Sequence, residues 1–244
     1  MARTRCADVI YVVRYLLIAI YTVIWSSICV LLAVVDRSGE GTLWGALQWI
    51  RWILWTCGVE VASKGSERVL QGRPCIWMSN HQSVFDIAAI MYTLPKGASF
   101  RFVAKRELTW IPFFGWALVA GGHVILDRRD RVRSIESLKR AAVRVAAGTS
   151  VIVFPEGTRS TSGVLGEFKS GGFHLAMEAG VPIVPISVSG SNRITPKGSL
   201  RIESGRLKVH YGEPIETADL DLAGRNQLKE SVREAIAKGY DAEF

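Results

Sequence analysis

Acidic residues, histidines and cysteines are scarce along this 244-residue chain, and each scarcity removes a class of function. The four cysteines (Cys6, Cys29, Cys57 and Cys75) lie far apart, two of them inside apolar stretches. They form neither a disulfide framework nor a metal-ligand motif, which points to a reduced compartment. The four histidines have no ligand spacing, so no metal is required. A G-x-S-x-G elbow is missing and no cysteine has an evident base beside it, so no covalent nucleophile is recognisable. There is no internal repeat or low-complexity segment. Between residues 96 and 144 only four carboxylates (Glu107, Asp127, Asp130 and Glu136) face 11 cations (Lys96, Arg101, Lys105, Arg106, Arg128, Arg129, Arg131, Arg133, Lys139, Arg140 and Arg144). Such a basic face attracts anionic lipid headgroups, phosphorylated substrates or an acidic carrier protein. No nucleic-acid-binding motif accompanies it, which argues against nucleic acid as a partner.

What is abundant is apolar sequence, and it is concentrated at the N-terminus. From Tyr15 to Val35 the chain runs YLLIAIYTVIWSSICVLLAVV without a charge. About 20 apolar residues suffice for a helix to cross the hydrocarbon core. The run is too long for a cleaved signal, and no convincing A-x-A-like site follows it. A second segment, Thr42 to Val59, holds Trp44, Trp49, Trp52 and Trp55 together with Gln48 and Arg51. Tryptophan favours the headgroup level and a long arginine can snorkel there, so an interfacial or re-entrant helix is expected. The polar turn DRSGEGT separates the two, while Arg3 and Arg5 precede the first and Lys64 and Arg68 follow the second. That distribution puts both outer ends of the hairpin on the cytosolic side of a cytoplasmic membrane. The expected organisation is a membrane-associated helical hairpin over residues 1–59 and a second domain over 60–244.

Beyond Glu60 short apolar runs alternate with helical patterns. Strands are predicted over Cys75–Ser79, Phe100–Lys105, His123–Leu126, Val151–Phe154, Val184–Ser189 and Leu207–Gly212. The clearest helix covers Val132–Ala147, where Ile135, Leu138, Ala142 and Val145 recur at helical spacing before Gly148. An amphipathic helix over Asp219–Ala237 closes the chain. The fold class is therefore α/β, a largely parallel sheet covered by helices, with the N-terminal hairpin appended.

Two strand ends carry chemistry. CIWMSNHQSVFD (Cys75 to Asp86) is an apolar strand that empties into Asn-His and then turns into a helix. His81 is thereby placed at the carboxyl edge of the sheet, where α/β proteins bind ligands. Asp86 can reach one imidazole nitrogen, fixing the tautomer and leaving the other nitrogen to take a proton from a hydroxyl. VIVFPEGTRS (Val151 to Ser160) is a second strand ending in a turn. Gly157 permits unusual backbone angles that expose amide groups, and Arg159 offers a fork suited to phosphate. A plain polar turn in which Glu156 pairs with Arg159 is the alternative.

These segments resemble the lysophospholipid and glycerolipid acyltransferases typified by bacterial 1-acyl-glycerol-3-phosphate acyltransferase. NHQSVFD is similar to that family's NHxxxxD block. FVAKRELTWIPFFG with HVILDR is similar to its second block, FPEGTRS matches the third residue for residue, and VPIVPI (Val181 to Ile186) is similar to the fourth. Leu126 stands where the second block often has an aromatic. The resemblance spans about residues 75–190 and implies a role for each position. His81 is the general base, with Asp86 orienting it. Lys105 and Arg159 hold the acceptor phosphate. Glu156, Gly157 and Thr158 shape the acceptor site, with Gly157 a candidate amide donor to the thioester oxyanion, and Pro182 lines the pocket.

The implied reaction is direct transfer of a fatty acyl group from acyl-CoA or acyl carrier protein to lysophosphatidic acid, giving phosphatidic acid for phospholipid synthesis. It needs no cofactor beyond the thioester co-substrate. Membrane lipids are the other expected partners. Another lysophospholipid acceptor, or a non-catalytic lipid-binding protein of the same fold, are the competing readings. Gln48 and Arg51 interrupt the apolar surface of the second N-terminal helix. That is costly against lipid and tolerable against protein, so this helix is expected to pack on the catalytic domain near the acceptor entrance.

Overall fold

The computed structural model describes residues 2–36, 38–69, 72–95, 98–127, 130–161, 163–218, 220 and 224–244. Lys96, Arg128, Arg129 and Asp219 lie outside the described residues, as do the side chains of Arg3, Arg5, Cys6 and Arg131.

The apolar N-terminus forms α1 (Ala2–Val35) and α2 (Glu40–Cys57), joined by a turn that Asp36 organises. The Asp36 carboxylate accepts the backbone N–H of Ser38 at 2.9 Å and of Gly41 at 2.7 Å. Gly58, in the left-handed region at φ 65, ends α2 by donating to Leu54 and Trp55 carbonyls. Val59, read from sequence as the end of this helix, is instead the first residue of a strand. The two helices approach closely where a side chain on Gly45 would meet Cys29 Sγ at 2.7 Å. Trp49 Nε1 donates to Thr22 at 3.1 Å, and Trp25, Trp44, Trp52 and Tyr21 pack edge to face.

The hairpin docks on the remainder through Ile50, Ile53, Leu54 and Cys57, all buried. Docking was expected from the sequence, but through a different face. Arg51 is exposed and donates to Gln48 at 3.5 Å, while the buried contacts of the helix come from its aliphatic stripe. Trp44, Trp52 and Trp55 face outward.

Seven strands form one sheet: β1 (Val59–Lys64), β2 (Ile76–Ser79), β3 (Phe100–Lys105), β4 (Val124–Leu126), β5 (Ser150–Val153), β6 (Ile183–Ser189) and β7 (Gly205–Tyr211). Their order is β1-β7-β6-β2-β5-β3-β4, and every pairing is parallel except β6 with β7. Alternation along β2 sends Trp77 to one face and Ile76 and Met78 to the other. On Trp77's face lie α2 and α3 (Phe85–Thr93). The opposite face carries α5 (Arg131–Ala146), α6 (Gly171–Ala179) and α8 (Arg225–Gly239). The short helices α4 (Phe114–Ala120) and α7 (Ser191–Ile194) complete the set. Three layers result, and the carboxyl ends of β2, β3 and β5 share one edge.

Candidate active site

Asn80 prepares the position of His81. Its side chain is buried and makes a reciprocal pair with Val188 of β6, donating to the carbonyl at 2.9 Å and accepting the N–H at 2.8 Å. The chain must turn immediately beyond this clamp. Asp86, in the first turn of α3 and fully buried, then lies 2.8 Å from His81 Nδ1. The same carboxylate oxygen accepts the N–H groups of Gln82 at 2.6 Å and Ser83 at 2.8 Å. With two backbone donors already on it, this oxygen faces the imidazole as an acceptor. Nδ1 therefore carries the proton shared with Asp86, and Nε2 is left as an acceptor. The imidazole stacks on Phe154 at 4.1 Å between ring centroids.

The second strand end meets the first. Pro155 to Arg159 form a turn in which Gly157 has φ 70, and Ser160 N–H donates to His81 O at 2.7 Å. Glu156 points inward rather than toward a substrate. Its Oε1 accepts the N–H of His81 at 2.8 Å and its Oε2 that of Gly166 at 2.9 Å. Backbone amides engage both oxygens, and among the described residues the alternative pairing with Arg159 is not formed. The N–H of Gly157 is also engaged, donating to Phe154 O at 3.0 Å, so this amide is not the free oxyanion donor expected.

A cavity of about 910 Å³ opens beside His81 and runs between the sheet and the hairpin. It passes from Lys105 and Leu126 to Arg101 and His123, roughly 13 Å along β3 at about 3.3 Å per residue. Trp25, Cys29, Trp49, Ile50 and Ile53 of the hairpin supply one wall. Lys105, Gly157, Thr158 and Arg159 line the mouth. Pro182 does not. It is buried where its carbonyl accepts Ile76 N–H at 2.9 Å, at the opposite edge of the sheet from His81. VPIVPI enters β6 at its amino end, whereas the site lies at the carboxyl ends of the neighbouring parallel strands.

At the far end of the cavity His123 stacks on Phe102 and its Nδ1 accepts the Phe102 N–H at 3.2 Å. Burial, then the nearby Arg101 and Arg144, push its pKa down to about 3. Lys169 and Lys197 also line the mouth, and neither was singled out by sequence. They come from loops outside the motif positions read as chemical, so spacing offered no signal. Arg233 of α8 was missed for the same reason. It donates to the carbonyls of Gly166 at 2.5 Å and Leu165 at 3.0 Å. Among the described residues no three His, Cys, Asp or Glu side chains cluster as metal ligands would.

The family model described as Acyltransferase matches residues 60–189. A 1-acyl-sn-glycerol-3-phosphate acyltransferase of Cocos nucifera is 34% identical over 243 residues, covering 93% of this chain and 77% of that protein. A chloroplastic 1-acyl-sn-glycerol-3-phosphate acyltransferase of Brassica napus is 42% identical over 163 residues, 65% of this chain. The match spans only 46% of that longer relative. The crystal structure of the 1-acyl-sn-glycerophosphate (LPA) acyltransferase PlsC from Thermotoga maritima superposes with a TM-score of 0.83 at 27% identity. It covers 98% of this chain and 96% of its own.

Proposed function

This chain belongs to the acyltransferase family, and from that premise we propose that it transfers a fatty acyl group from a thioester to the free hydroxyl of 1-acyl-glycerol-3-phosphate, giving phosphatidic acid. The observation that carries this reading is the His81–Asp86 pair at 2.8 Å on the wall of a largely apolar cavity with cations at its mouth. His81 Nε2 takes the proton of the acceptor hydroxyl as its oxygen attacks the thioester carbonyl. The carbon–sulfur bond then breaks, and the departing thiolate leaves as the thiol with the proton from His81. Asp86 stabilises the imidazolium between the two steps. The thioester is already activated, so deprotonation and oxyanion stabilisation are the main tasks. With the Gly157 amide engaged, the oxyanion donor falls to another group of the same turn, for which Thr158 is our candidate.

The acceptor phosphate is assigned to Lys105 and Arg159, and the fatty chains to the cavity beneath the hairpin. Acyl-CoA and acyl carrier protein both remain compatible donors. Helix α1 includes 27 residues, Val9–Val35, long and apolar enough to cross a membrane. The start of this helix and the turn that follows it nevertheless touch the catalytic domain. Near the start, Tyr11 donates to Glu203 and Arg14 to Ile202 O, and at the turn Gly39 abuts Arg101. Ties near its start and at its turn favour a hairpin lying within one face of the membrane over one projecting through it, and the flanking basic residues favour the cytosolic side for the catalytic domain.

The test is incubation of the full-length protein with lysophosphatidic acid and labelled acyl-CoA or acyl carrier protein, followed by lipid separation. Labelled phosphatidic acid is expected. His81→Ala should lower turnover by at least about 10²-fold, and Asp86→Asn comparably, while lysolipid binding persists. Near-normal turnover in His81→Ala would remove the general-base role.

A further inference from the structure

The turn from Gly157 to Arg159 is bracketed by two lysines from distant parts of the chain. On one side, Lys169 Cδ, Cε and Nζ each stand 3.1 Å from the place a side chain on Gly157 would begin. Its backbone is fixed there by an N–H bond to Pro155 O at 2.8 Å. On the other side, Lys197 Nζ donates to Arg159 O at 2.8 Å and to Thr158 Oγ1 at 3.3 Å. Both lysines line the cavity mouth with Lys105 and Arg159, and no Asp or Glu is among the described residues lining this cavity. Four like charges gathered around one opening repel one another until an anion enters. An ammonium has three donors, and two of those on Lys197 are used, which leaves one for a ligand.

Resting on the acyl-transfer reading, we propose that Lys197, together with Lys169, completes a four-cation seat that selects a lysolipid with a bare phosphate over one with a phosphodiester headgroup. A phosphate monoester loses its second proton near pH ~6, so at neutral pH it carries up to two charges and presents three free oxygens. A phosphodiester carries one charge, offers two free oxygens and brings a bulky substituent. The seat matches the former in both charge and number of acceptors. Lys197 thereby adds discrimination to the positions shared with the sequence blocks, from the loop that follows α7.

The experiment compares lysophosphatidic acid and lysophosphatidylglycerol of one chain length, with one acyl donor, on full-length protein in mixed micelles. Lys197→Gln keeps a donor for Thr158 and the Arg159 carbonyl but removes the charge. It should raise KM for lysophosphatidic acid about tenfold, the low end for a lost charge-assisted bond, with little change in kcat. On lysophosphatidylglycerol its effect should stay under about twofold, and Lys197→Arg should recover most of the lost affinity. The wild-type KM for lysophosphatidic acid should fall as pH rises through about 6, and Lys197→Gln should flatten that trend. Equal losses on both acceptors, or a lower kcat with the pH trend intact, would show that Lys197 only braces the turn. If the wild type acylates neither lipid, the acyl-transfer reading fails by itself. Calorimetric binding of the same two lipids to wild type and Lys197→Gln then still decides the seat, which stands only if the charge loss weakens the monoester selectively.

Discussion

Glu156 and His81 are joined through the backbone: a carboxylate from the end of β5 holds the peptide N–H that precedes the imidazole, at 2.8 Å. The position of the base therefore depends on a buried side chain held by backbone amides. In Glu156→Gln one oxygen becomes an NH2, which cannot accept from both His81 and Gly166. A buried donor left without its partner costs about 1–3 kcal/mol. Turnover should fall by about tenfold or more while acceptor KM changes little, because misplacement by a fraction of an ångström is enough. Steady-state kinetics with the acceptor varied checks this, and a change confined to KM would return Glu156 to substrate contact.

The same brace continues to the C-terminal helix. Arg233 holds the carbonyls of Gly166 and Leu165, and Gly166 holds Glu156. Arg233→Ala should reproduce the Glu156→Gln pattern more weakly, with kcat lowered and KM nearly constant. Arg233→Lys should restore part of it, since one carbonyl can still be reached. Parallel losses of melting temperature and kcat in both variants would instead mark a purely structural residue.

At the cavity mouth the expectation is opposite. Lys105→Ala and Arg159→Ala should each weaken use of lysophosphatidic acid by about 1.5–3 kcal/mol, the range for charge-assisted hydrogen bonds. Activity toward an acceptor without phosphate should already be poor and fall little further. Equal proportional losses on both acceptors would assign these residues to the fold or the donor.

Removal of residues 1–58 should not release a working domain. Ile50, Ile53, Leu54 and Cys57 share a core with Ile90, Val184 and Val188. Losing even one such side chain to alanine typically costs about 2–5 kcal/mol. The truncated chain should lack a cooperative thermal transition by circular dichroism and should not acylate a soluble, short-chain acceptor. A folded truncated domain with a matching rate would reduce the hairpin to an anchor.

His123 supplies a pH test away from the chemistry. Its folded pKa is lowered to about 3, mainly by burial, from an ordinary value near 6.5. Between those values the unfolded chain binds a proton that the native state refuses, so this group's stabilisation is complete above about pH 6.5. It is lost progressively as pH falls toward 3, with a slope approaching 1.4 kcal/mol per pH unit. Urea titrations from pH 7 to 4.5 should show a shallower decline for His123→Asn than for the wild type. Identical declines would mean His123 titrates normally.

Much of this was legible in the residues. The strands at Phe100–Lys105 and Ile76–Ser79 announced themselves as apolar runs, and helix α5 by its periodicity before Gly148. His81 and Asp86 lie five apart across a strand-to-helix turn, a local arrangement that sequence can express. What sequence could not express was direction. A glutamate in a Gly-rich turn reads the same whether it faces substrate or backbone, and only the fold turns Glu156 inward. Pro182 stands apart from the cavity because the fourth block marks where β6 begins, not where its neighbours end. Strand β1 was hidden by its position beside Gly58, since VEVASK buries only Val59 and alternates only over Val59-Glu60-Val61. Lys169, Lys197 and Arg233 act across 10 to 70 residues of chain, a separation that composition does not encode.

The cavity wall built by Trp25, Cys29 and Trp49 has a kinetic consequence. On the proposed in-plane placement, these residues belong to a hairpin immersed in the acyl layer, so the lysolipid tail exchanges one hydrocarbon surrounding for another. It is not extracted into water at about 0.8 kcal/mol per exposed methylene. The concentration that governs the rate is then two-dimensional, the mole fraction of acceptor in the surface rather than its molarity in the tube. Adding inert lipid at fixed bulk acceptor should slow the reaction by surface dilution alone, and doubling the sample volume at saturating acyl donor should leave it unchanged.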